Sequence, residues 1–282
     1  MTRRYTRIEH WARILWLSGF RQANPMALMF TAYFDASGKR NHPVSSVGGV
    51  VAPVYKWARF ELAWKRVLAA EGVTEFHATD FAASQGEYVS WKGDRVRRAK
   101  FLGRLGSIVK ANGNKLFCAS MENNEWASVN QDYLLEECFH SPYAYCGFAV
   151  VKQVLAWAKR KRVKTPVKFI FEKGDAEWAG LEKLCKKIGV APVELPKEEA
   201  IPCQAGDLIA WKSRIAFTNG IRKLGSFMGS PSIEGFDELV EESRSLDKVI
   251  VISGTPGIFS RDRLIENCKR FRIPKRALAM KE

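Results

Sequence analysis

Three acidic residues, far apart along the chain, stand where predicted elements would bring carboxylates to one edge of a sheet. Asp35 ends an apolar run that begins at Leu28, and Glu172 ends a later apolar run. Asp207 lies in the second turn of a predicted helix. Carboxylates that meet in one place repel one another, and their affinity for protons rises. Mg²⁺ or Mn²⁺ removes this conflict, because both ions take oxygen ligands.

A divalent ion held by these three residues would be a hydrolytic centre. Two such ions about 3.5–4 Å apart can activate a water molecule and stabilise the leaving oxygen of a phosphodiester. Each acid also has a simpler interpretation. Asp35 could be a turn residue that hydrogen-bonds its own backbone. Glu172 could be a surface acid at a strand end, and Asp207 a solvated acid favoured by the helix dipole.

The segment 75–80 puts further ionisable side chains among apolar ones. His77 and Asp80 lie about one turn apart, so they could join the metal shell, carry protons or hydrogen-bond within their own loop. Gln204 lies one turn before Asp207 in the predicted helix. It could orient that carboxylate or a water molecule, or it could be an ordinary polar residue of an early helical turn.

The chain is strongly basic, with 45 Lys and Arg against 30 Asp and Glu, a net charge of +15 and a pI near 9.6. Such a charge attracts polyanions, so DNA or RNA is the first partner to consider, although an anionic membrane surface has the same requirement. No apolar run is long enough to cross a bilayer, so we expect no membrane insertion. The sequence does not decide whether the chain forms a homo-oligomer.

Two predicted helices concentrate the basic residues. In each, a solvated helix face is the simpler interpretation, and contact with the phosphates of a nucleic acid is the alternative that the overall charge favours. The second group also suits the negative end of the helix dipole. The candidates for nucleic-acid binding are Arg95, Arg97, Arg98 and Arg104 on the first helix, and Lys159, Arg160 and Arg162 at the end of the second.

The apolar patterns predict an α/β fold with a mixed sheet and flanking helices. Residues 28–35 are apolar on both alternating faces, which is typical of a strand in the middle of a sheet. A short connection predicts a hairpin with the second strand, in which Gly48 and Gly49 suggest a bulge or a close backbone approach. The other predicted strands are residues 44–51, 115–121, 167–171, an edge strand within 190–202 and a short strand at 248–252.

Helical patterns alternate with these strands. Pro53 stands at the early position that favours the start of a helix. Residues 85–93 have the composition of a loop, and they divide the helical insertion that follows the second strand. The predicted helices are residues 53–72, 94–110, 142–162, 176–188, 204–219, an acidic helix near 237–242 and a final helix from 260.

No linker or repeat divides the chain, so we predict a single elaborated domain. Six cysteines are scattered without a C-x-x-C pair, which is typical of reduced thiols in a cytoplasmic protein. The predicted parts are a basic N-terminal extension (1–25), the domain with its helical insertion (26–222) and a C-terminal extension packed on that domain (223–282).

Four motifs of this sequence resemble domain-of-unknown-function family 3800, a group within the ribonuclease H-like superfamily. The most informative motif has Gln204 and a small residue before Asp207, at the start of an apolar helix. The motifs follow the family's order and are YFDASG (33–38), EFHATD (75–80), FIFE (169–172) and IPCQAGDLIA (201–210). The resemblance implies a ribonuclease H-like mixed sheet, in which the first and fourth strands lie side by side, and a metal-dependent nuclease activity.

Two positions depart from the family's pattern. Ala36 stands where the family usually has Glu, and Glu172 stands where it commonly has Asp, which is one methylene shorter. Neighbouring strand residues face opposite ways, so Ala36 need not remove a metal ligand. Either change could weaken or abolish activity.

The sequence therefore favours a metal-dependent nuclease. Asp35, Glu172 and Asp207 would hold Mg²⁺ or Mn²⁺, with His77 or Asp80 assisting as further catalytic residues, and the basic helices would bind the nucleic-acid backbone. A catalytically inert nucleic-acid-binding or interaction module is the first alternative. A hydrolase of small phosphorylated metabolites is the second, although it would not need so large a positive charge.

Overall fold

The computed structural model describes residues 29–38, 42–223 and 257–276, which form a six-stranded mixed sheet with helices on both faces. The predicted α/β class is therefore confirmed. The strands are β1 (Phe30–Ser37), β2 (Val44–Pro53), β3 (Lys115–Glu122), β4 (Lys168–Glu172), β5 (Val193–Leu195) and β6 (Gly257–Phe259). The helices are α1 (Val54–Glu71), α2 (Ala78–Ala83), a 3₁₀ helix (Gly86–Trp91), α3 (Arg95–Asn112), α4 (Asn123–Asp132), α5 (Leu135–Phe139), α6 (Pro142–Arg160), α7 (Trp178–Lys186), α8 (Cys203–Lys223) and α9 (Arg261–Arg270).

The strands lie in the order β5-β4-β1-β2-β3-β6. β1, β2 and β3 form an antiparallel meander, whereas β4 is parallel to β1, β5 to β4 and β6 to β3. The predicted hairpin is confirmed, and so is the side-by-side placement of the first and fourth strands. The segment that contains Pro192 and Pro196 contributes β5 at one edge of the described sheet, where a residue without an N–H costs no ladder hydrogen bond.

The sheet separates two hydrophobic cores. Tyr33 and Ile170 face the side covered by α1, α3 and α8, whereas Phe34 and Phe171 face the side covered by α4, α5, α6 and α7. Side chains alternate between the faces of a strand, so a strand covered on both sides must be apolar at nearly every position. The apolar pattern of β1 and the complete burial of β2 have this common cause.

Helix α8 lies directly on the backbone of β1 and β2. A methyl group at Gly48 would come within 2.5 Å of the Ala210 backbone nitrogen, and one at Gly206 within 2.7 Å of the Asp35 backbone nitrogen. The close backbone approach predicted for Gly48 is thus confirmed. The register of β2 runs without interruption against both of its neighbours, so there is no bulge. This contact fixes the distance between the start of α8 and the end of β1.

The structure departs from the predicted elements in several places. Within the predicted loop 85–93, Gly86–Trp91 form the 3₁₀ helix, because Tyr88 and Trp91 turn inward and are buried. Helices α2, α4 and α5 and strand β6 occupy stretches for which no element was predicted. Pro53 is the last residue of β2 and precedes the first residue of α1. The N-terminal extension (1–25), the acidic helix near 237–242 and the strand at 248–252 lie outside the described residues.

The described part of the C-terminal extension, residues 257–276, belongs to the same sheet. It supplies β6 beside β3, and Leu264 and Cys268 of α9 join the second core. All six cysteines are free thiols. No helix in the described ranges combines the length and the apolar character needed to cross a membrane.

Replacing Gly48 by alanine should destabilise the fold by about 1–3 kcal/mol, because the added methyl group meets the backbone of α8. Gly103→Ala is the matched control. Nothing lies within 4 Å of the Gly103 Cβ position, and alanine favours a helix over glycine by up to about 1 kcal/mol. Urea unfolding of both variants measures the difference. Equal stabilities would contradict the close packing of α8 on the sheet.

Candidate active site

Asp35 and Glu172 stand at the carboxyl ends of two neighbouring parallel strands. Phe34 of β1 is the partner of Phe171 of β4, so the next residue on each strand is the acid. Because side chains alternate, both acids share the face of the sheet covered by α8. Ala36 packs against the other core, so the departure at this position from the family's pattern removes no side chain from the site.

Asp207 reaches the same place from α8. Gly206 lets the helix touch the backbone at Asp35, and the apolar side chains of Leu208 and Trp211 anchor the helix in the first core. Asp207 is 4% exposed, so it is not the solvated first-turn acid of the simpler interpretation. The structure thus brings the three predicted acids to one crevice.

A fourth charged residue, Lys197, lies among the acids. Its Nζ atom is 3.2 Å from Glu172 Oε1 and 3.5 Å from Asp207 Oδ2, and the side chain is 9% exposed. Sequence reasoning missed this residue, which lies in the connection between β5 and α8. The available signal was electrostatic, because three clustered carboxylates need a nearby cation.

Burial and mutual repulsion dominate the electrostatics of the crevice. Burial raises the pKa of Asp35 well above its ordinary value, and the charges on Asp207 and Glu172 raise it further. Burial also raises the pKa of Asp207, although Lys197 opposes the shift. Burial alone would lower the pKa of Lys197, but the three acids outweigh it and raise the value. Lys197 is therefore a charged ammonium group that partly neutralises the acids.

The donor set suits a hard divalent ion in its chemistry. Its ligands would all be carboxylate oxygens, and Glu172 Oε2 is buried without a hydrogen-bond partner among the described residues. The positions of these side chains suit a metal ion less well than their chemistry does. In the described part of the chain, no group of three or more His, Cys, Asp and Glu side chains is placed to hold a metal ion as it stands. The ammonium group of Lys197 lies between two of the acids, at a position that a cation would occupy.

Segment 75–80 closes one side of the crevice through backbone hydrogen bonds. The Ala78 amide donates to Asp207 Oδ2 at 2.8 Å. Gln204 Oε1 accepts from the Phe76 amide and from Trp64 Nε1, each at 2.8 Å. Gln204 therefore holds this segment and α1 against α8, and it positions Asp207 indirectly.

His77 and Asp80 form their own pair at the rim. His77 Nδ1 is 3.0 Å from Asp80 Oδ2, and both side chains are 41% exposed. A positive charge on His77 would favour the ionised form of Asp207. The structure thus places His77 near the acids. That His77 carries protons there remains a prediction. Both partners face each other rather than a shared metal position.

Most of the basic residues predicted to bind nucleic acid from α3 instead contact other residues of the chain. Arg98 is 4% exposed, lies 4.2 Å from the ring centre of Phe81 and donates to Ser84. Arg97 and Arg104 both form ion pairs with Glu71. Arg95 is exposed at the start of the helix. These contacts leave less of α3 for a nucleic acid than the sequence pattern indicates.

Lys159, Arg160 and Arg162 are exposed at the other end of the molecule. Tyr143, at the start of α6, lies near the acids, since burial and then the charges on Asp175 and Asp35 raise its pKa. Helix α6 has 19 residues and is therefore about 28 Å long. The basic C-terminal end of α6 lies near the start of β4, whereas the acids lie at the other end of the strands. These basic residues are therefore too far from the crevice to bind the phosphates next to it.

Comparison with known proteins gives no match, either to a protein-family model or to a curated protein. The resemblance to family 3800 accordingly depends on the four motifs alone.

Lys197→Met should lower the stability at neutral pH by about 3–5 kcal/mol, because it leaves buried acids without their cation. Lys186→Met is the matched control, since Lys186 also pairs with a glutamate but is 61% exposed and its loss should cost at most about 1 kcal/mol. The loss for Lys197→Met should shrink as the pH falls and the acids take up protons. Urea unfolding from pH 7 to pH 4 tests this, and equal losses in both variants would contradict the charge balance.

Asp35→Asn should stabilise the protein at pH 7. The folded state holds the Asp35 proton more tightly than the unfolded state, so the acid costs stability as the pH rises from its ordinary value of 3.8 through the raised pKa. We therefore expect a gain in the free energy of unfolding at pH 7 that vanishes below pH 3.8. Thermal unfolding measures it, with exposed Asp132→Asn as the control. A loss of stability would refute the assigned repulsion.

Proposed function

We propose that this chain is a metal-dependent nuclease with a ribonuclease H-like fold, as the resemblance to family 3800 implies. The observation that carries the proposal is the meeting of Asp35, Glu172 and Asp207 in one buried crevice at the carboxyl ends of β1 and β4. The crevices of open α/β sheets are the usual places for ligands. The scattered free thiols are consistent with a cytoplasmic location.

The topology supports the fold assignment. A meander of three antiparallel strands is followed by β4 and β5, which are added in parallel beyond β1. This is the arrangement in which the first strand, the fourth strand and a later helix each bring an acid to the same point. The helical insertion between β2 and β3 and the added strand β6 are elaborations of that plan.

Asp35, Glu172 and Asp207 would hold Mg²⁺ or Mn²⁺, and the ion would supply a Lewis acid for phosphodiester hydrolysis. Lys197 would have to move away from Glu172 or Asp207 when the ion binds, or share their carboxylate oxygens with it. The chain's own contribution is to bury Asp207, to shield Asp35 and Glu172 in part, and to fix all three on rigid elements. The net charge of +15 would concentrate a polyanionic substrate at the surface.

A second candidate, an inert nucleic-acid-binding module, is favoured by one specific observation. Lys197 already contacts two of the three acids, so the crevice is partly neutralised without a metal. A site that has lost its ion through such a replacement would keep the fold and lose the chemistry. This candidate retains the nucleic-acid partner and gives up hydrolysis.

Incubation of labelled single- and double-stranded DNA and RNA with Mg²⁺, Mn²⁺ or EDTA separates the two candidates. For a nuclease, we expect cleavage that requires the divalent ion and falls at least a hundredfold in Asp35→Asn. Asp132→Asn is the control, since its carboxylate is exposed and distant from the crevice. Retarded migration of the nucleic acid without cleavage, together with no Mn²⁺ binding by calorimetry, would establish the inert module instead.

A further inference from the structure

Arg214 lies beside the crevice, and the proposed metal site formed by the three acids gives it no role. It follows Asp207 by seven residues on α8, so the two side chains lie on the same side of the helix, about 10 Å apart along its axis. Its Nε atom donates to Ser37 Oγ at 3.0 Å. Ser37 follows Asp35 by two residues in β1 and therefore faces the same way. Arg214 thus lies beside the crevice, at the end of β1.

The guanidinium group is held in place but remains chemically available. Within residues 29–38, 42–223 and 257–276, the bond from Nε to Ser37 is the one hydrogen bond of this group, and no carboxylate lies within ion-pair distance. The side chain is half-buried, and a methyl group at Gly38 would come within 2.9 Å of Arg214 Cδ. Burial lowers the pKa of Arg214 and Asp207 opposes this, yet arginine keeps its charge in proteins.

An arginine anchored through Nε presents its two remaining nitrogens as a fork. This fork matches the oxygens of a phosphate group, with two parallel hydrogen bonds. Arg97 and Arg104 of α3 differ from Arg214 in this respect, because both form ion pairs with Glu71. Arg214 is a half-buried positive charge that has no carboxylate partner among the described residues, and it stands beside three acids that repel anions. Such a charge has a physical reason to exist if an anion must approach those acids.

We propose that Arg214, oriented by Ser37, binds the phosphate that neighbours the reacting phosphate of a nucleic-acid strand. Ser37 and Asp35 are two residues apart, roughly 7 Å along one strand, a separation comparable to that of successive phosphates in a single strand. The inference rests on the proposed function for its substrate class. The binding itself needs neither a metal ion nor cleavage.

The test measures binding of a fluorescent single-stranded oligonucleotide in EDTA, with Asp35→Asn as the parent protein so that cleavage plays no part. We expect Arg214→Gln to weaken binding about tenfold, the effect of losing a charge-assisted pair of hydrogen bonds, and to reduce the dependence of log affinity on log salt by about 0.7. The matched control is Arg59→Gln. It makes the same charge change at an exposed position of α1 and should alter affinity less than twofold.

Two further variants keep the proposal falsifiable if Arg214→Gln fails to fold. Arg214→Lys retains the charge without the fork, and Ser37→Ala removes the anchor, so each should weaken binding severalfold while keeping the thermal unfolding temperature. Unchanged affinity in both, or an equal loss in Arg59→Gln, would overturn the phosphate site. Since this binding assay contains EDTA, it does not depend on cleavage. Failure of the nuclease proposal would show separately, as absent cleavage by the unmodified protein in Mg²⁺ or Mn²⁺.

Discussion

The balance of charge in one buried crevice constrains the rest of this structure. Burial raises the pKa of Asp35 and Asp207, and the charge on Glu172 raises both further. Such a group of acids is costly unless a cation accompanies it. In the described structure Lys197 is that cation. The nuclease proposal requires a divalent ion that displaces the ammonium group, whereas the inert-module proposal has the lysine in the ion's place. The two functional candidates differ at this single point.

The elements around the crevice act as one unit because their contacts are made by backbone and by buried amides. Gly48 and Gly206 bring α8 against the sheet, and the Gln204 side chain joins α8 to α1 and to segment 75–80. The Gln204 side chain is itself buried and accepts two hydrogen bonds, so it too is fixed in place. The position of Asp207 relative to Asp35 is therefore set by the packing of a helix on a sheet, which is stiffer than a loop.

Sequence reasoning found Asp35 and Glu172 because each ends an apolar strand, which is visible in the pattern of its own residues, whereas Asp207 was found within the motif at the start of an apolar helix. The close approach at Gly48 was predictable because glycine inside a strand is itself a local signal. Lys197 and the pairing of Arg97 and Arg104 with Glu71 were not predictable in this way, since they depend on which elements pack together. The burial of Tyr88 and Trp91 in the first core likewise turned an apparent loop into a 3₁₀ helix.

The late position of β6 in the chain has a consequence for how this protein is made. Strand β3 pairs with β2 along one side, and on its other side Ala119–Met121 pair with residues 257–259. In the described part of the chain, these three residues have no partner on that side until residues 257–259 have been synthesised, and nascent chains associate along such edges. Pairing of β6 with β3 thus covers this part of the edge and protects the newly synthesised chain from aggregation.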